Sequence, residues 1–335
     1  MEFNKDKYRI PVFILAALVA IWGVLGLLDS RNFTYDGFRT DGDKTIIEID
    51  EGSPAADAGL MVGDYMVSVD GRGWDDSKAW EQVARPKIGE TRKFVVQRDG
   101  ENVELDLTYA AQTGKDKNLN YVGFALGLIF LLCGLWIFGS SNSKAGFVFA
   151  LFAIFFAAAF FNGPYFASSA LREFFGVVDL TFTLAGFALL AYFMLEFPDP
   201  RPFLQKRSAG YWLAGPAVLL GLVFVLLNAF EPEATSGLRT FVRLLLGVVV
   251  LFYFGWALIS MFRSYARHSA VARQSKGLNL LLIGAVLGLV PILLAILVDT
   301  VAPQVIVPGS DYAFITLGLI PILFALAIRK KEAAA

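Results

Sequence analysis

The stretch Glu51-Gly52-Ser53-Pro54-Ala55-Ala56-Asp57-Ala58-Gly59-Leu60-Met61-Val62-Gly63-Asp64 decides how the polar part of this chain folds. Ser53 followed by Pro54 reads as a helix start, because proline at the first helical position forfeits no hydrogen bond. Gly59 stands where a helix stop calls for a left-handed residue, so the helix is short. Gly63-Asp64 then turns the chain into Tyr65-Met66-Val67-Ser68-Val69, an alternating strand pattern that ends on the turn signal Asp70-Gly71. Upstream, Thr45-Ile46-Ile47-Glu48-Ile49 reads as another strand. Downstream, Lys93-Phe94-Val95-Val96-Gln97 and Val103-Glu104-Leu105-Asp106-Leu107 flank Asp99-Gly100, a hairpin pattern. Residues 76–84 read as a short helix, capped by Asp75 or Asp76 and closed by Pro86, with Trp80, Val83 and Ala84 on one face. Residues 31–112 are thus expected to form a small α+β domain.

The rest of the chain is different in kind. Of 335 residues 56% are hydrophobic and only 18% charged, with mean hydropathy +0.58. Soluble domains have about 45–50% apolar and about 25% charged residues, so most of this chain belongs in lipid. The net charge of −1 supplies no basic field, and nucleic acid is not an expected partner. One cysteine, Cys133, cannot form an intrachain disulfide, and one histidine, His268, cannot build a multi-histidine metal site. No cofactor and no metal are expected.

Eight segments have the roughly 20 apolar residues that a spanning helix needs: about 10–28, 120–139, 145–163, 177–197, 210–229, 240–262, 277–299 and 311–328. The first also has the look of a cleavable leader, but Gly26-Leu27-Leu28-Asp29 lacks a small-x-small cleavage pattern, and an uncleaved anchor is the expectation. Placing the N-terminus in the cytoplasm puts fourteen lysines and arginines on the inner side, against Arg172, Arg239 and Arg243 in the short outer loops. The expected plan is a cytoplasmic N-terminus (1–9), an anchor helix (10–28), an extracytoplasmic domain (31–112), a block of seven transmembrane helices (120–328) and a basic cytoplasmic tail (329–335). Asp179, Glu196, Arg243 and Asp299 all fall near span ends, which argues against a pump, channel or proton-coupled carrier. Gly123 with Gly127, and Gly284 with Gly288, fit the spacing that lets helices approach closely.

The order of residue types in 51–64, continued by Tyr65 to Gly71, resembles the core signature of bacterial PDZ domains. The residues that carry it are Gly52, Ser53, Pro54, Ala55, Ala58, Gly59, Leu60, Gly63 and Asp64. The resemblance implies binding of an extended peptide as an added strand, often with its terminal carboxylate held on backbone amides. It places that loop at Tyr35-Asp36-Gly37-Phe38, with Arg39 beside it, and the groove between the strand from Phe38 and the helix from Asp76, lined by Trp80, Val83 and Ala84. Core packing is the competing role for Phe38 and Trp80. Asp36, with Asp41 and Asp43 near, departs from the family pattern. These acids repel a carboxylate, Arg39 is in reach to offset one of them, and binding of an internal segment is the consequence.

Three membrane patterns, Leu195-Glu196-Phe197-Pro198-Asp199-Pro200-Arg201-Pro202, Arg273 to Gly284, and Ile320-Pro321 to Arg329, together with the anchor and the outside PDZ, resemble the input region of sensor histidine kinases similar to ComP. No phospho-accepting histidine or nucleotide box follows Ile328, so kinase activity is not implied. A His-Glu-x-x-His zinc site is impossible with one histidine, His268 lies in a basic loop, and intramembrane aspartyl pairs are missing. The expectation is therefore a non-enzymatic, receptor-like bacterial inner-membrane protein without catalytic residues. Its PDZ would bind a peptide or protein segment and its helices would relay the event to a separate cytoplasmic or membrane signalling partner. The alternative is a PDZ adaptor or scaffold that recruits a periplasmic protein or a membrane protease.

Overall fold

A computed structural model describes residues 4–41, 43–74, 83–206, 208–230, 236–301, 307 and 309–334. The chain is two-thirds helical (67%) with a small β-rich part. It divides into a helical unit, Met1–Val24, Tyr121–Gly163 and Phe175–Ala335, and a sheet unit, Leu25–Asn120 and Pro164–Phe174.

The sheet unit is built from short strands. β1 (Thr34–Tyr35) pairs with β8 (Ala110–Ala111), and β2 (Phe38–Thr40) pairs with β3 (Ile46–Ile49), both antiparallel. β4 (Tyr65–Val69), β5 (Arg72–Gly73), β6 (Thr91–Arg98) and β7 (Glu101–Thr108) form an antiparallel sheet in the order β5-β4-β6-β7. Along β6 the residues Arg92, Phe94 and Val96 are buried and their neighbours are not, which is the period of two expected of a half-buried strand. Phe94 and Val96 pack with Ile46, Ala55, Leu60, Met66, Val69, Leu107 and Tyr109 into one core. Asp99 and Gly100 both take positive φ (51° and 86°) between the paired Arg98 and Glu101, the geometry of a two-residue hairpin turn.

Each expected span falls for the most part on a helix among the described residues. Among the described residues six helices are long and apolar enough to cross a membrane: Asp6–Asn32, Gly114–Ser140, Ala170–Glu196, Leu244–Arg267, Leu278–Val298 and Ser310–Ala333. This is the make-up of a multi-pass membrane protein. The other two expected segments are the apolar helices α4 (Lys144–Phe160) and α6 (Ala209–Phe230). At 17 residues, α4 is about 25 Å long, short of the roughly 30 Å hydrocarbon core. The numbering here counts α1 (Arg9–Asp29), α2 (Pro54–Asp57), α3 (Gly114–Ser140) and α5 (Ser169–Glu196).

Small residues set the helix contacts. A Cβ on Gly123 would sit 3.4 Å from the Phe160 carbonyl, and one on Gly127 3.0 Å from the Ala157 carbonyl, both on α4. Gly284 and Gly288 in the same way face Leu323 and Ile320. Both glycine pairs therefore serve close packing inside the unit. Phenylalanines fill what remains. Phe130, Phe149, Phe152, Phe193, Phe197 and Phe324 are all fully buried, and Phe193 stacks on both Phe197 and Phe324.

The membrane patterns singled out in the sequence meet at one end of this unit. Asp199 accepts from His268 Nε2 at 3.1 Å and from Lys276 Nζ, and the Pro198 carbonyl accepts from Lys331. Arg201 donates to Ser264 Oγ at 2.8 Å. His268, read from sequence as a basic-loop residue, is mostly buried here, with Nδ1 2.7 Å from the Ser264 carbonyl.

Candidate functional site: a peptide groove on the sheet unit

The signature stretch folds as its residue types dictate. Ser53 caps α2 by accepting from Ala56 N (3.3 Å), and Pro54 opens the helix. Gly59, at φ +83°, closes it, with Gly59 N bonded to Ala56 O and Leu60 N to Ala55 O, each at 3.0 Å. These two crossed bonds form a Schellman stop. Ala58 is the C-cap, and Ala55 and Leu60 are buried. Gly52 and Gly63 occupy turn positions with positive φ.

Asp64 does more than turn the chain. Its buried carboxylate takes two bonds from Arg98, Nε and Nη2, at 2.7 Å each, and one from the Met61 amide at 2.8 Å. Arg98 also reaches the Gly59 carbonyl at 2.8 Å, so one guanidinium ties the end of β6 to the α2 stop. Burial pushes the Asp64 pKa up, but the Arg98 hydrogen bonds, the Met61 amide and the Arg98 charge outweigh it and hold the carboxyl below its usual range. A depressed folded-state pKa contributes stability above the unfolded value of about 3.9, and that stability is lost as pH falls through the folded value. Urea midpoints of the sheet unit are therefore expected to hold from pH 7 to about 5 and to drop below about 4. In an Asp64→Asn variant this acid-linked drop should shrink.

The loop Tyr35-Asp36-Gly37-Phe38 joins β1 to β2 and is pulled down onto the signature stretch. Ala55 N donates to Asp36 O at 2.9 Å, and Gly37 O accepts from Asp50 N (2.9 Å) and Ser53 Oγ (3.2 Å). Gly37 has φ +81°, and a Cβ there would overlap the Ser53 side chain. The Tyr35 hydroxyl donates to the Asp50 carboxylate, and burial together with that anion pushes its pKa up to about 12. At Asp36, burial raises the pKa. The amides of Gly37, Asp36 and Phe38 work the other way without overcoming it.

Phe38 meets Phe94 edge-on at 6.1 Å and joins the sheet core, so core packing is part of its role. Arg39 is exposed and pairs with Glu48 across β2–β3, not with Asp36. Asp41 is engaged in its own turn, accepting from Asp43 N and Thr45 N at 2.9 Å each. Among the described residues β2 has a strand partner on one edge only. Trp80 and residues 76–82 of the helix expected over 76–84 lie outside the described residues, and Val83 and Ala84, its expected last two residues, have no regular secondary structure. Of the groove-lining set, Val83 is half-buried and Ala84 exposed.

Sequence reasoning missed what holds 83–85 in place. The Ala84 carbonyl accepts from buried Arg92 at 2.9 Å. Arg85 is bonded through both terminal nitrogens to Asp29 (3.0 and 3.3 Å), and its backbone N–H reaches the Tyr165 hydroxyl at 3.1 Å. Tyr165 is eighty positions away and comes from the loop before α5. No spacing pattern announces such a pair.

Similarity to known proteins follows this geometry. The PDZ domain family matches residues 34–108. A protein of Brucella suis biovar 1 (strain 1330), provisionally named a zinc metalloprotease, is 32% identical over 95 residues, which is 28% of this chain and 23% of that protein. A protein of Brucella melitensis biotype 1, with the same provisional name, matches to the same extent. This chain spans about a quarter of the length of these curated relatives. Among solved structures, the HtrA-type protease AlgW with decapeptide is similar at 22% identity over 25% of this chain and 30% of that one, with TM-score 0.21. A serine endoprotease from Yersinia pestis is similar at 24% identity over 25% and 30%, also with TM-score 0.21.

These relatives correct the expectation of a non-enzymatic chain, because the proteins that share this domain at 32% identity are named as metalloproteases. The earlier inference counted metal ligands in one sequence. A peptide-holding domain takes part in proteolysis without supplying a metal ligand, so one histidine could not decide the matter. What sequence, geometry and similarity jointly establish is that residues 34–108 are a PDZ domain.

Proposed function

We propose that this chain is a PDZ adaptor for proteolysis at the bacterial inner membrane. Its PDZ domain holds an extended segment of a protein as a strand added to β2, outside the cytoplasm. The apolar helices keep that segment at the membrane, within reach of membrane-bound protease chemistry. The observation that carries this reading is the open edge of β2 beside the Tyr35–Phe38 loop, the arrangement that strand addition uses. The naming of the Brucella relatives as metalloproteases supports the protease context. In this reading Tyr35, Asp36, Gly37, Phe38 and Arg39 border one side of the groove and Trp80, Val83 and Ala84 the other. Both termini are cytoplasmic, α4 and α6 complete eight spans, and the partner is a peptide or protein segment.

The side chain of Asp36 also bears on which peptides fit. Asp36 puts an acid in the loop itself, so a free C-terminus gains little there, and an internal segment loses nothing. Full-length protein in nanodiscs, applied to an array of random decapeptides made as acid and amide forms, is expected to retain a subset, the amides at least as well as the acids. Retention of no peptide by protein whose sheet unit is folded would refute the adaptor reading. A consistent advantage for the acids would refute the role given to Asp36.

A second reading, relay to a separate signalling partner as in ComP-like input regions, draws support from one observation. Residues Pro164–Phe174 group with the sheet unit, and the same α5 helix that begins at Ser169 runs on to Glu196.

A further inference from the structure

The groove wall at 83–85 has no regular secondary structure, yet its backbone polar groups are bonded to side chains from elsewhere. The Tyr165 hydroxyl donates to the Val83 carbonyl at 3.4 Å and accepts from Arg85 N at 3.1 Å and from Arg172 Nη1 at 3.2 Å. One hydroxyl has one proton and two lone pairs, so this one is fully used. Its ring lies 4.9 Å from the Arg85 guanidinium, which also lies 4.8 Å from the Phe33 ring. Asp29 ties both parts together, accepting from Arg85 and, at 2.9 Å, from Tyr165 N. Arg172, in the first turn of α5, fixes the loop from the other side through the Phe166 and Ala167 carbonyls at 2.9 and 2.8 Å. All of these residues belong to the sheet unit.

We infer that the peptide groove is composite, and that Tyr165, from the α4–α5 connection, is a positioning residue that sets the Val83–Arg85 wall and with it the affinity for peptide. The inference rests on the peptide-binding reading above. It assigns part of the binding machinery to residues 164–174 of the sheet unit, outside the segment 31–112 that carries the PDZ signature.

The reasoning is geometric. The hydroxyl is the shared partner of Val83 and Arg85, two residues apart, and therefore fixes the direction in which the intervening Ala84 is presented. Removing the oxygen while keeping the ring leaves the stacking on Arg85 in place and frees one carbonyl and one amide of the wall.

Tyr165→Phe in the full-length protein in nanodiscs tests this, with the best-retained decapeptide from the array as probe. Loss of hydrogen bonds of this kind is expected to raise the peptide dissociation constant by about three- to tenfold. Amide exchange is expected to quicken at 83–85 and to stay unchanged at Phe94 and Val96 in the core of β6. Arg172→Lys, which keeps the charge but loses the guanidinium geometry, serves as a second variant and should move both readouts the same way by less. Unchanged affinity in Tyr165→Phe, or exchange that rises equally in β6, would overturn the inference while leaving peptide binding intact. A wild-type protein that retains no decapeptide would instead bring down the peptide-binding reading, and this inference with it.

Discussion

Asp64→Ala is expected to cost the sheet unit about 3 kcal/mol, the lower end of the range for breaking a buried ion pair. The lower end applies because Asp64 is 1% exposed but its partner Arg98 is 24% exposed, so water reaches half of the pair. The loss has three parts. Two charge-assisted bonds at 2.7 Å disappear, the Met61 amide loses its acceptor, and the guanidinium retains only the Gly59 carbonyl. The α2 stop and the end of β6 then lose their common anchor. Pulse proteolysis of the full chain in urea reads this directly, since cleavage tracks the unfolded population. The double variant Asp64→Ala, Arg98→Ala should be little worse than Asp64→Ala alone, because the partners act as one unit. Additive losses would mean that the two side chains serve separate purposes.

Gly37→Ala is expected to abolish peptide retention and to destabilise the sheet unit by about 2–3 kcal/mol. Two effects combine there. The backbone sits at φ +81°, and the added methyl runs into Ser53, which is itself fixed by capping α2 and bonding Gly37 O. Gly59 provides the comparison. Its φ of +83° is nearly the same, but a Cβ there meets only Leu105 at 3.9 Å. Gly59→Ala should therefore show the conformational cost alone, about 1–2 kcal/mol, with peptide retention preserved. Equal effects of the two substitutions would remove the argument that the Gly37–Ser53 contact shapes the groove.

Much of this architecture was legible in the sequence because it is local. Asp99-Gly100 announces a hairpin, the run Lys93 to Gln97 before it announces a strand, and Ser53-Pro54 with Gly59 marks both ends of a short helix. Each is decided within a few positions by backbone sterics. β1 and β8 were not legible, since two paired residues each leave no pattern to read. Nor were the anchors of the groove. Arg98 finds Asp64 across 34 positions, and Tyr165 finds Arg85 across 80. Such pairs are set by topology, not by spacing. The partner of His268 was hidden for the same reason, because the acid that pairs with it is 69 positions away. Apolar length located all eight helical segments, but it overstated α4, whose 17 helical residues end at Phe160, before the expected limit at 163. The expectation of a chain without enzymatic connections failed differently, since a count of metal ligands says nothing about the proteins with which a peptide-holding domain travels.

The central claim is that a peptide segment lies along β2 as an added strand. Hydrogen exchange of the full-length protein in nanodiscs, with and without the best-retained decapeptide, addresses it residue by residue. The β2 amides over Phe38–Thr40 that point away from β3 are expected to gain protection of at least about tenfold, as a net hydrogen bond of roughly 1.4 kcal/mol gives, while β6 and β7 stay as they were. Bound peptide with unchanged exchange along Phe38–Thr40 would contradict it.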